Sequence, residues 1–276
     1  MRTCFRLAVG LALLVVSGLC PLPSRGSTPL IPAPSCEKKL RLMTAKALAG
    51  HLASIAPNDV TKANCVIAEF GNRKDKAADA VPLLMKQLHN DRTKGNAIAA
   101  LADMGDVAAG AVPIISEFVS SKDYNTVWSA IWGLENIGKS AISAIPKLAG
   151  LALSDDTTPS GISVRNYAAT TVGKLGQYDP ATAGPYLVKL AKRADLLGGV
   201  CEGILWMGTP AREWAPELKP ILNRALLDVV RHEAELTPKG DPAERYTSEF
   251  QSAQGQDDHL TRTLAVLGDF SSAEPE

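Results

Sequence analysis

Two stretches of the sequence, AIAALADMGDVAAGAVP from Ala97 to Pro113 and AIWGLENIGKSAISAIP from Ala130 to Pro146, are built on the same plan. They have equal lengths, they begin 33 residues apart, and each has a glycine eight residues before its final proline. A pattern that recurs at a fixed spacing of roughly 20–50 residues indicates a repeat protein. The repeat decides the fold, because one small unit cannot bury its apolar residues unless its neighbours stack against it.

The glycine recurs along most of the chain with similar neighbours. Apolar residues stand one and four positions before it, and small or apolar residues stand five and eight positions before it. These offsets place all of them on one face of an α-helix. Glycine ends such a helix well because it adopts a left-handed conformation just after the last turn. The six glycines are Gly71, Gly105, Gly138, Gly176, Gly208 and Gly268.

A proline follows five of these glycines and begins a second apolar segment. Proline is tolerated in the first turn of a helix, since its missing N–H has no partner there. Each repeat is therefore predicted to be a helix, a short link and a second helix. We predict an all-α protein, a right-handed α-solenoid of about five to six helical-hairpin repeats over residues 36–268. The prolines are Pro82, Pro113, Pro146, Pro185 and Pro216.

The string AIxxLxxIG, followed at a short distance by proline, resembles the HEAT repeat, in particular the short HEAT-like repeats of bacterial proteins. The resemblance covers roughly Ala63 to Leu227, with a degenerate opening hairpin from Cys36 to Phe70 and a final helix from His259 to Leu267. The T-P-L-H signature of ankyrin repeats is absent. The resemblance implies stacked hairpins whose inner helices line a concave face.

The beginning of the chain looks like a signal for export. Arg2 and Arg6 precede a short apolar run from Leu7 to Val16, well below the length of about 20 residues that spans a bilayer. We predict a signal peptide over residues 1–26, cleaved after Gly18 or Gly26, and a periplasmic or extracellular mature protein without a membrane span. An uncleaved N-terminal membrane anchor is the alternative.

Several segments fall outside the repeat. Residues 27–35 read as a Pro/Ser linker, and residues 269–276 as a disordered tail. Two polar insertions break the period, one at 154–163 and a longer one at about 231–258. Loops as long as the second are usually functional or disordered. It is too polar to build core and is expected to lie apart from the repeats.

Three cysteines remain once Cys4 and Cys20 leave with the signal peptide. Cys36 and Cys65 are the one local candidate pair for a disulfide, and Cys201 is left over. In an antiparallel hairpin the heights of Cys36 and Cys65 along the helix axis would differ by roughly 15–20 Å, which no disulfide spans. This geometry favours isolated thiols over a bridge.

The composition and motifs argue against several classes of function. Basic and acidic residues balance at 29 each, so no net charge recruits nucleic acid. The string HEAEL lacks the second histidine of a zinc-binding HExxH helix, and no cofactor or metal is predicted. We interpret the polar residues that flank the long insertion as solvated loop ends rather than as metal ligands. They are His232, Glu233, Asp257, Asp258 and His259.

Positions two, six and nine before the repeated glycine form a second stripe on the first helix of each hairpin. In HEAT-like solenoids this stripe lines the concave side, so the resemblance implies a binding surface there. Three of the four tryptophans fall on this helix type. The candidate partner-binding residues are Trp128, Trp132, Asn136, Tyr167, Lys174 and Trp206.

The string AIWGLENIG also resembles the armadillo repeat, in which a tryptophan and an asparagine at this spacing hold an extended peptide. The resemblance implies that the amide of Asn136 bonds the peptide backbone while Trp132 supplies a flat apolar wall. Packing of Trp132 between neighbouring repeats is the alternative interpretation.

We therefore predict a non-enzymatic module of the cell envelope that binds an unknown protein or extended peptide, or serves as a scaffold. The alternative is an enzyme, or an accessory subunit of one, with its site in the insertion at about 231–258.

Overall fold

The computed structural model describes Cys36 and residues 38–56, 58–236 and 248–268. Within these residues it contains twelve α-helices and no β-strand, so the prediction of an all-α protein is confirmed. The helices fall into two compact units, one ending at Leu148 and the other beginning at Ala149. The predicted signal peptide, Pro/Ser linker and tail lie outside the described residues.

The first unit consists of paired helices joined by short 3-10 helices. Its long helices α2, α4 and α6 pack one against the next, and the short helices α3 and α5 pack beside them. The bounds are α1 Ala45–Ser54, α2 Val60–Arg73, α3 Val81–Gln87, α4 Lys94–Met104, α5 Val112–Glu117, α6 Tyr124–Ile137 and α7 Ile145–Ala152, which contains the boundary between the units.

The second unit repeats this arrangement. Helix α8 packs against α10, and α10 packs against the final helix α12, while α9 and α11 lie beside them. The bounds are α8 Pro159–Gly176, α9 Pro180–Ala191, α10 Leu197–Met207, α11 Ala215–Leu236 and α12 Ser248–Val266. Both units therefore have the α-solenoid architecture that the repeat predicts.

The apolar stripe of the repeat forms the core of each unit. The residues four positions before the repeated glycine are all buried, which confirms the predicted helix face. Burial of one such side chain contributes about 1.5–3 kcal/mol to the free energy of folding. The six residues are Ile67, Leu101, Leu134, Val172, Ile204 and Leu264.

The link between the two helices of a hairpin is a 3-10 helix in four of the repeats, at Lys74–Ala80, Gly105–Ala111, Gly138–Ala144 and Thr209–Trp214. Gly105 and Gly138 end their helices with the predicted positive φ, 63° and 74°, but their ψ of −134° and −130° lies outside the left-handed helical region. Proline follows in the first turn of α3 and of α5. The helix, link and helix of the predicted repeat are therefore present.

Three residues that were expected to end or begin a helix do not do so in the way predicted. Helix α2 continues past Gly71 to Arg73, and the non-glycine Lys74 takes the positive φ, 52°. Gly176 has no positive φ; a Cβ there would lie 2.3 Å from Cε of Met207, so this glycine serves close packing instead. Pro185 lies inside α9, because the helix already begins at Pro180.

Most of the long insertion is helical, so its prediction as a loop is wrong. Its first residues continue α11 to Leu236, and α12 begins at Ser248 rather than at His259. The sequence suggests a loop because these parts of the two helices lack the apolar stripe that marks the other helices. The stripe returns at Leu260, and Gly268 ends the repeat with φ of 85° as predicted.

Cys36 and Cys65 form a disulfide, with their Cα atoms 5.5 Å apart. The expectation of isolated thiols is therefore wrong. It assumed a helix leading away from α2, but Cys36 precedes a 3-10 turn at Lys38–Leu42, and α1 begins only at Ala45. Cys201 is a free and buried cysteine, and burial raises the pKa of its thiol to about 11.

One stretch, Lys94–Ser120, is long and apolar enough to cross a membrane by length and composition. It is not one continuous α-helix, because α4 has 11 residues, α5 has 6, and a 3-10 helix separates them. The side chains of Ile98, Leu101 and Ile115 are fully buried. The apolar character of this stretch belongs to the core of a hairpin.

Candidate functional site

The structure places three of the predicted partner-binding residues in each unit. Trp128, Trp132 and Asn136 lie on α6 in the first unit. In the second unit, Tyr167 and Lys174 lie on α8 and Trp206 lies on α10. The two groups are separate candidate sites.

The indole of Trp206 is exposed, yet it is held in place on two sides. Nζ of Lys174 lies 4.8 Å from the centroid of the indole ring, in a cation–π contact. The ring nitrogen Nε1 donates a hydrogen bond of 3.0 Å to Oε1 of Glu202, one turn earlier on the same helix. Trp206 nevertheless keeps 44% of its surface exposed. We call these three residues the Trp206 platform.

The platform exists because α8 and α10 approach each other unusually closely. A Cβ on Gly173 would lie 2.2 Å from the carbonyl oxygen of Gly203, and a Cβ on Gly199 would lie 2.3 Å from that of Asn166. Only glycine allows this contact between backbones. Since Gly173 directly precedes Lys174, the close approach brings the lysine over the ring on the neighbouring helix.

Asn166 fixes the position of the two helices at the other end of the contact. Its Oδ1 accepts a hydrogen bond of 3.0 Å from the backbone N–H of Gly199, and its Nδ2 donates one of 2.8 Å to the carbonyl of Asp195. Tyr167 is the next residue on α8, and its side chain is half-buried. Tyr167 lies two helical turns from Lys174, about 10 Å along the helix axis.

A buried arginine anchors the start of α8. The guanidinium of Arg165 is inaccessible to solvent; it donates to the carbonyls of Ala152 and Asp156, each at 3.0 Å, and to Oδ2 of Asp195 at 2.7 Å. Arg193 donates to both oxygens of the same carboxylate. Burial alone would raise the pKa of Asp195, but the hydrogen bonds from Arg193 and Arg165 outweigh it and hold that pKa below its usual value.

Sequence reasoning missed this network and the role of Glu202. An arginine in a helix reads as a solvated charge, and nothing local reveals that Arg165 meets a loop and a carboxylate 30 residues away. The signal for Glu202 was present, because it stands four residues before Trp206 and therefore on the same helix face.

On α6 the predicted tryptophan and asparagine interact with each other. Nδ2 of Asn136 donates a hydrogen bond of 2.8 Å to the backbone carbonyl of Trp132, so one amide hydrogen is used within the helix. The side chain of Asn136 is exposed, whereas those of Trp128 and Trp132 are half-buried. Both predicted roles of Trp132 remain compatible with this partial burial.

An open cavity of about 430 Å³ lies between the N-terminal ends of α4 and α6. Its lining is polar and includes the carboxylates of Asp91 and Asp123 beside the apolar side chain of Ile98. Asp123 caps α6 by accepting hydrogen bonds from two backbone N–H groups, and Asp91 pairs with Lys94 at 2.7 Å. These carboxylates therefore already have structural partners.

Among the described side chains, no group of three or more histidine, cysteine, aspartate or glutamate residues is placed to hold a metal ion. Four of the polar residues that flank the long insertion lie on helices rather than at loop ends, namely His232, Asp257, Asp258 and His259. In the structure His232 lies on α11 and the other three lie on α12. The side chain of Glu233 lies outside the described residues.

No protein-family model matches the chain, and no curated protein matches it. In structure, the chain is similar to an engineered protein of the Northeast Structural Genomics Consortium, with 17% identity, a TM-score of 0.47, and coverage of 98% of this chain and 76% of that one. It is also similar to the designed armadillo repeat protein YIII(Dq)4CqI, with 15% identity, a TM-score of 0.44, and coverage of 79% and 100%.

A second engineered protein from the same consortium shows 17% identity and a TM-score of 0.44, over 79% of this chain and 97% of that one. The repeat assignment does not depend on these likenesses, because the register of the buried residues and the packing of the hairpins carry it. The chain has the stacked helical-hairpin architecture that HEAT and armadillo repeats share.

Proposed function

We propose that the protein is a non-enzymatic binding module that holds a protein or peptide partner on the exposed face of its inner helices. The observation that carries this proposal is the Trp206 platform, a large aromatic ring that is exposed and yet fixed by Lys174 and Glu202. Most exposed side chains in a solvated surface have no such restraint.

A restrained aromatic ring suits binding for a thermodynamic reason. Ordering a side chain on association costs about 0.5–1.5 kcal/mol, and here the free protein has already ordered it. Tryptophan is also among the residues that contribute most to binding energy when a partner covers them. One face of the ring meets Lys174, so the partner is expected to cover the exposed remainder of the indole with a flat or apolar group.

The proposed location is the cell envelope or the extracellular space. The apolar run after Arg2 and Arg6 supports export, and the disulfide between Cys36 and Cys65 supports an oxidising compartment. The alternative of an enzyme with its site at 231–258 gains no favouring contact among the described residues of that segment.

The test is a comparison of two single substitutions in the mature protein, each replacing an exposed aromatic residue of the second unit. Trp206 and Tyr178 are exposed to nearly the same extent, 44% and 46%. We expect Trp206→Ala to weaken binding of a partner recovered from the native envelope by tenfold or more, about 1.4 kcal/mol, with little change in melting temperature. Binding is measured by titration calorimetry.

Tyr178→Ala is the matched control and is expected to bind as the wild type does. If the recovered partner binds Trp206→Ala with unchanged affinity, the platform is not the binding surface. Asn136→Ala tests the separate site on α6 in the same assay, because its loss from the free protein costs little while its loss from a complex leaves a peptide group unpaired.

A further inference from the structure

The opening segment of the first unit has few apolar contacts of its own. We call this segment, Cys36 and residues 38–54, the N-terminal cap. It packs on α2 and on the link Lys74–Ala80, and its buried side chains are Leu40, Leu48 and Leu52. Its helix α1 has ten residues, fewer than the 12–15 or so that a helix needs to be stable without packing.

Two attachments outside the apolar contacts hold the cap to α2. One is the disulfide from Cys36 to Cys65. The other is the guanidinium of Arg73, which donates hydrogen bonds to the carbonyls of Met43 at 2.6 Å and Leu40 at 2.9 Å. The same guanidinium pairs with Glu69 at 3.1 Å, so its orientation is set by α2 itself.

The link beneath the cap is also less favourable than the links of the later repeats. Lys74 has a φ of 52°, in the left-handed region, whereas the positions ending α4, α6 and α10 are glycines. A residue with a Cβ is disfavoured in that region. The first hairpin therefore has a short helix and a strained turn, and it is the hairpin that carries the covalent bond.

We propose that the Cys36–Cys65 disulfide is a redox latch: its reduction detaches the N-terminal cap, while helices α2 to α6 stay folded, and its oxidation closes the cap again. Loop closure is the physical basis. The bond joins residues 29 apart in sequence, so it keeps a detached cap close to α2 and lowers the conformational entropy of that detached state. The closed loop ends at Cys65 on α2, so α4 and α6 lie outside it.

The chemistry is thiol–disulfide exchange with a dithiol reductant. A thiolate of the reductant attacks Sγ of Cys36, the less buried of the two cysteines, and the thiolate of the buried Cys65 leaves and is protonated. The second thiol of the reductant then displaces Cys36. Two electrons and two protons pass to the protein, which ends with two thiols, and the reductant ends as a disulfide.

The consequence is a surface that exists only in the reduced protein. Detachment uncovers the parts of α2 and of the link Lys74–Ala80 on which Leu48 and Leu52 are buried. If the proposed export is correct, the cap is open during synthesis in a reducing compartment and closes after export.

Hydrogen exchange of the mature protein, with and without dithiothreitol, tests the latch. We expect reduction to lower the protection factors of the α1 amides, such as that of Leu48, by about a hundredfold or more. The amides of α6 should change by no more than about threefold. Binding of an apolar dye should rise in parallel.

The double variant Cys36→Ser/Cys65→Ser serves as the control. It should show the open pattern without reductant and no further response to reductant, and Cys201→Ala should respond as the wild type does. Unchanged protection of α1 after complete reduction would overturn the proposal. Equal loss of protection in α1 and α6 would also overturn it, since the bond would then stabilise the unit as a whole.

Discussion

At the scale of single residues, the same amino acid does different work in successive repeats. Gly105 and Gly138 end helices through their positive φ, whereas Gly173 allows two backbones to touch. The sequence predicts the first role, because helix capping depends on near neighbours. It does not predict the second, because the obstructing atom belongs to Gly203, 30 residues further along the chain.

The contact at Gly173 leads to a direct prediction. Gly173→Ala places a Cβ 2.2 Å from a backbone oxygen, so α8 and α10 must separate. We expect a loss of about 1–3 kcal/mol in the free energy of unfolding, measured by urea denaturation. The separation should also move Lys174 off Trp206 and quench or shift the tryptophan fluorescence.

Gly150→Ala is the matched control, because it is a helical glycine with no atom within 4 Å of the added Cβ. It should stabilise the protein by about 0.5–1 kcal/mol through its better helix propensity. A Gly173→Ala protein as stable as the wild type would show that the two helices are not in contact there.

At the scale of elements, the start of α8 depends on a carboxylate shared by two arginines. Asp195→Asn removes the charge that Arg165 meets in a buried site, and we expect a loss of about 3 kcal/mol at pH 7. Asp155→Asn, at a fully exposed side chain that also pairs with Arg193, should leave the free energy of unfolding nearly unchanged.

The same network predicts a dependence on pH. The folded-state pKa of Asp195 lies below its ordinary value of 3.8, so the ionised form stabilises the fold above that value. This stabilisation is lost as the pH falls through the lowered pKa. Denaturation between pH 2 and 7 should therefore show a steeper acid loss for the wild type than for Asp195→Asn. Parallel curves for the two proteins would contradict the assignment.

Much of each element could be predicted from the sequence, and the failures have a common cause. Helix faces follow from residues three and four apart, so the buried positions of Leu101 and Leu134 are correct. The disulfide depends on the path of the chain after Cys36, which local periodicity does not encode. The first turns of α12 have no apolar stripe, so their helix is invisible to a search for one.

For the candidate site, the sequence predicts that Lys174 and Trp206 occupy equivalent positions in neighbouring repeats, but it does not predict that their side chains touch. Lys174 and Trp206 both stand two positions before a repeated glycine, one repeat apart, and the structure brings their side chains together. The distance between their helices is set by glycine contacts that the sequence does not reveal. Glu202 accepts a hydrogen bond from the indole of Trp206, and this contact depends on the tryptophan rotamer, which the sequence does not give.

At the scale of the whole molecule, one repeating sequence pattern forms two compact units, which are divided between Leu148 and Ala149. The buried residues of α7 lie on both sides of this division, at Ile145 and Leu148 and at Ala149 and Ala152, so helix periodicity gives no sign of it. In each unit the helices that end at or near the repeated glycines stack on one another and the other helices lie beside them. A periodic sequence therefore specifies the stacking within a unit without specifying where one unit ends.

The buried thiol of Cys201 gives a way to measure how often the final helix of the second unit opens. It interacts with Thr263 on α12, and its pKa of about 11 leaves roughly one thiol in a thousand ionised at pH 8. We expect iodoacetamide to label it only as fast as α12 separates from α10. Mass spectrometry after timed alkylation then measures the rate at which the final helix opens, with no engineered label. Labelling as fast as that of a free cysteine in urea would mean that α12 is not closed over this site.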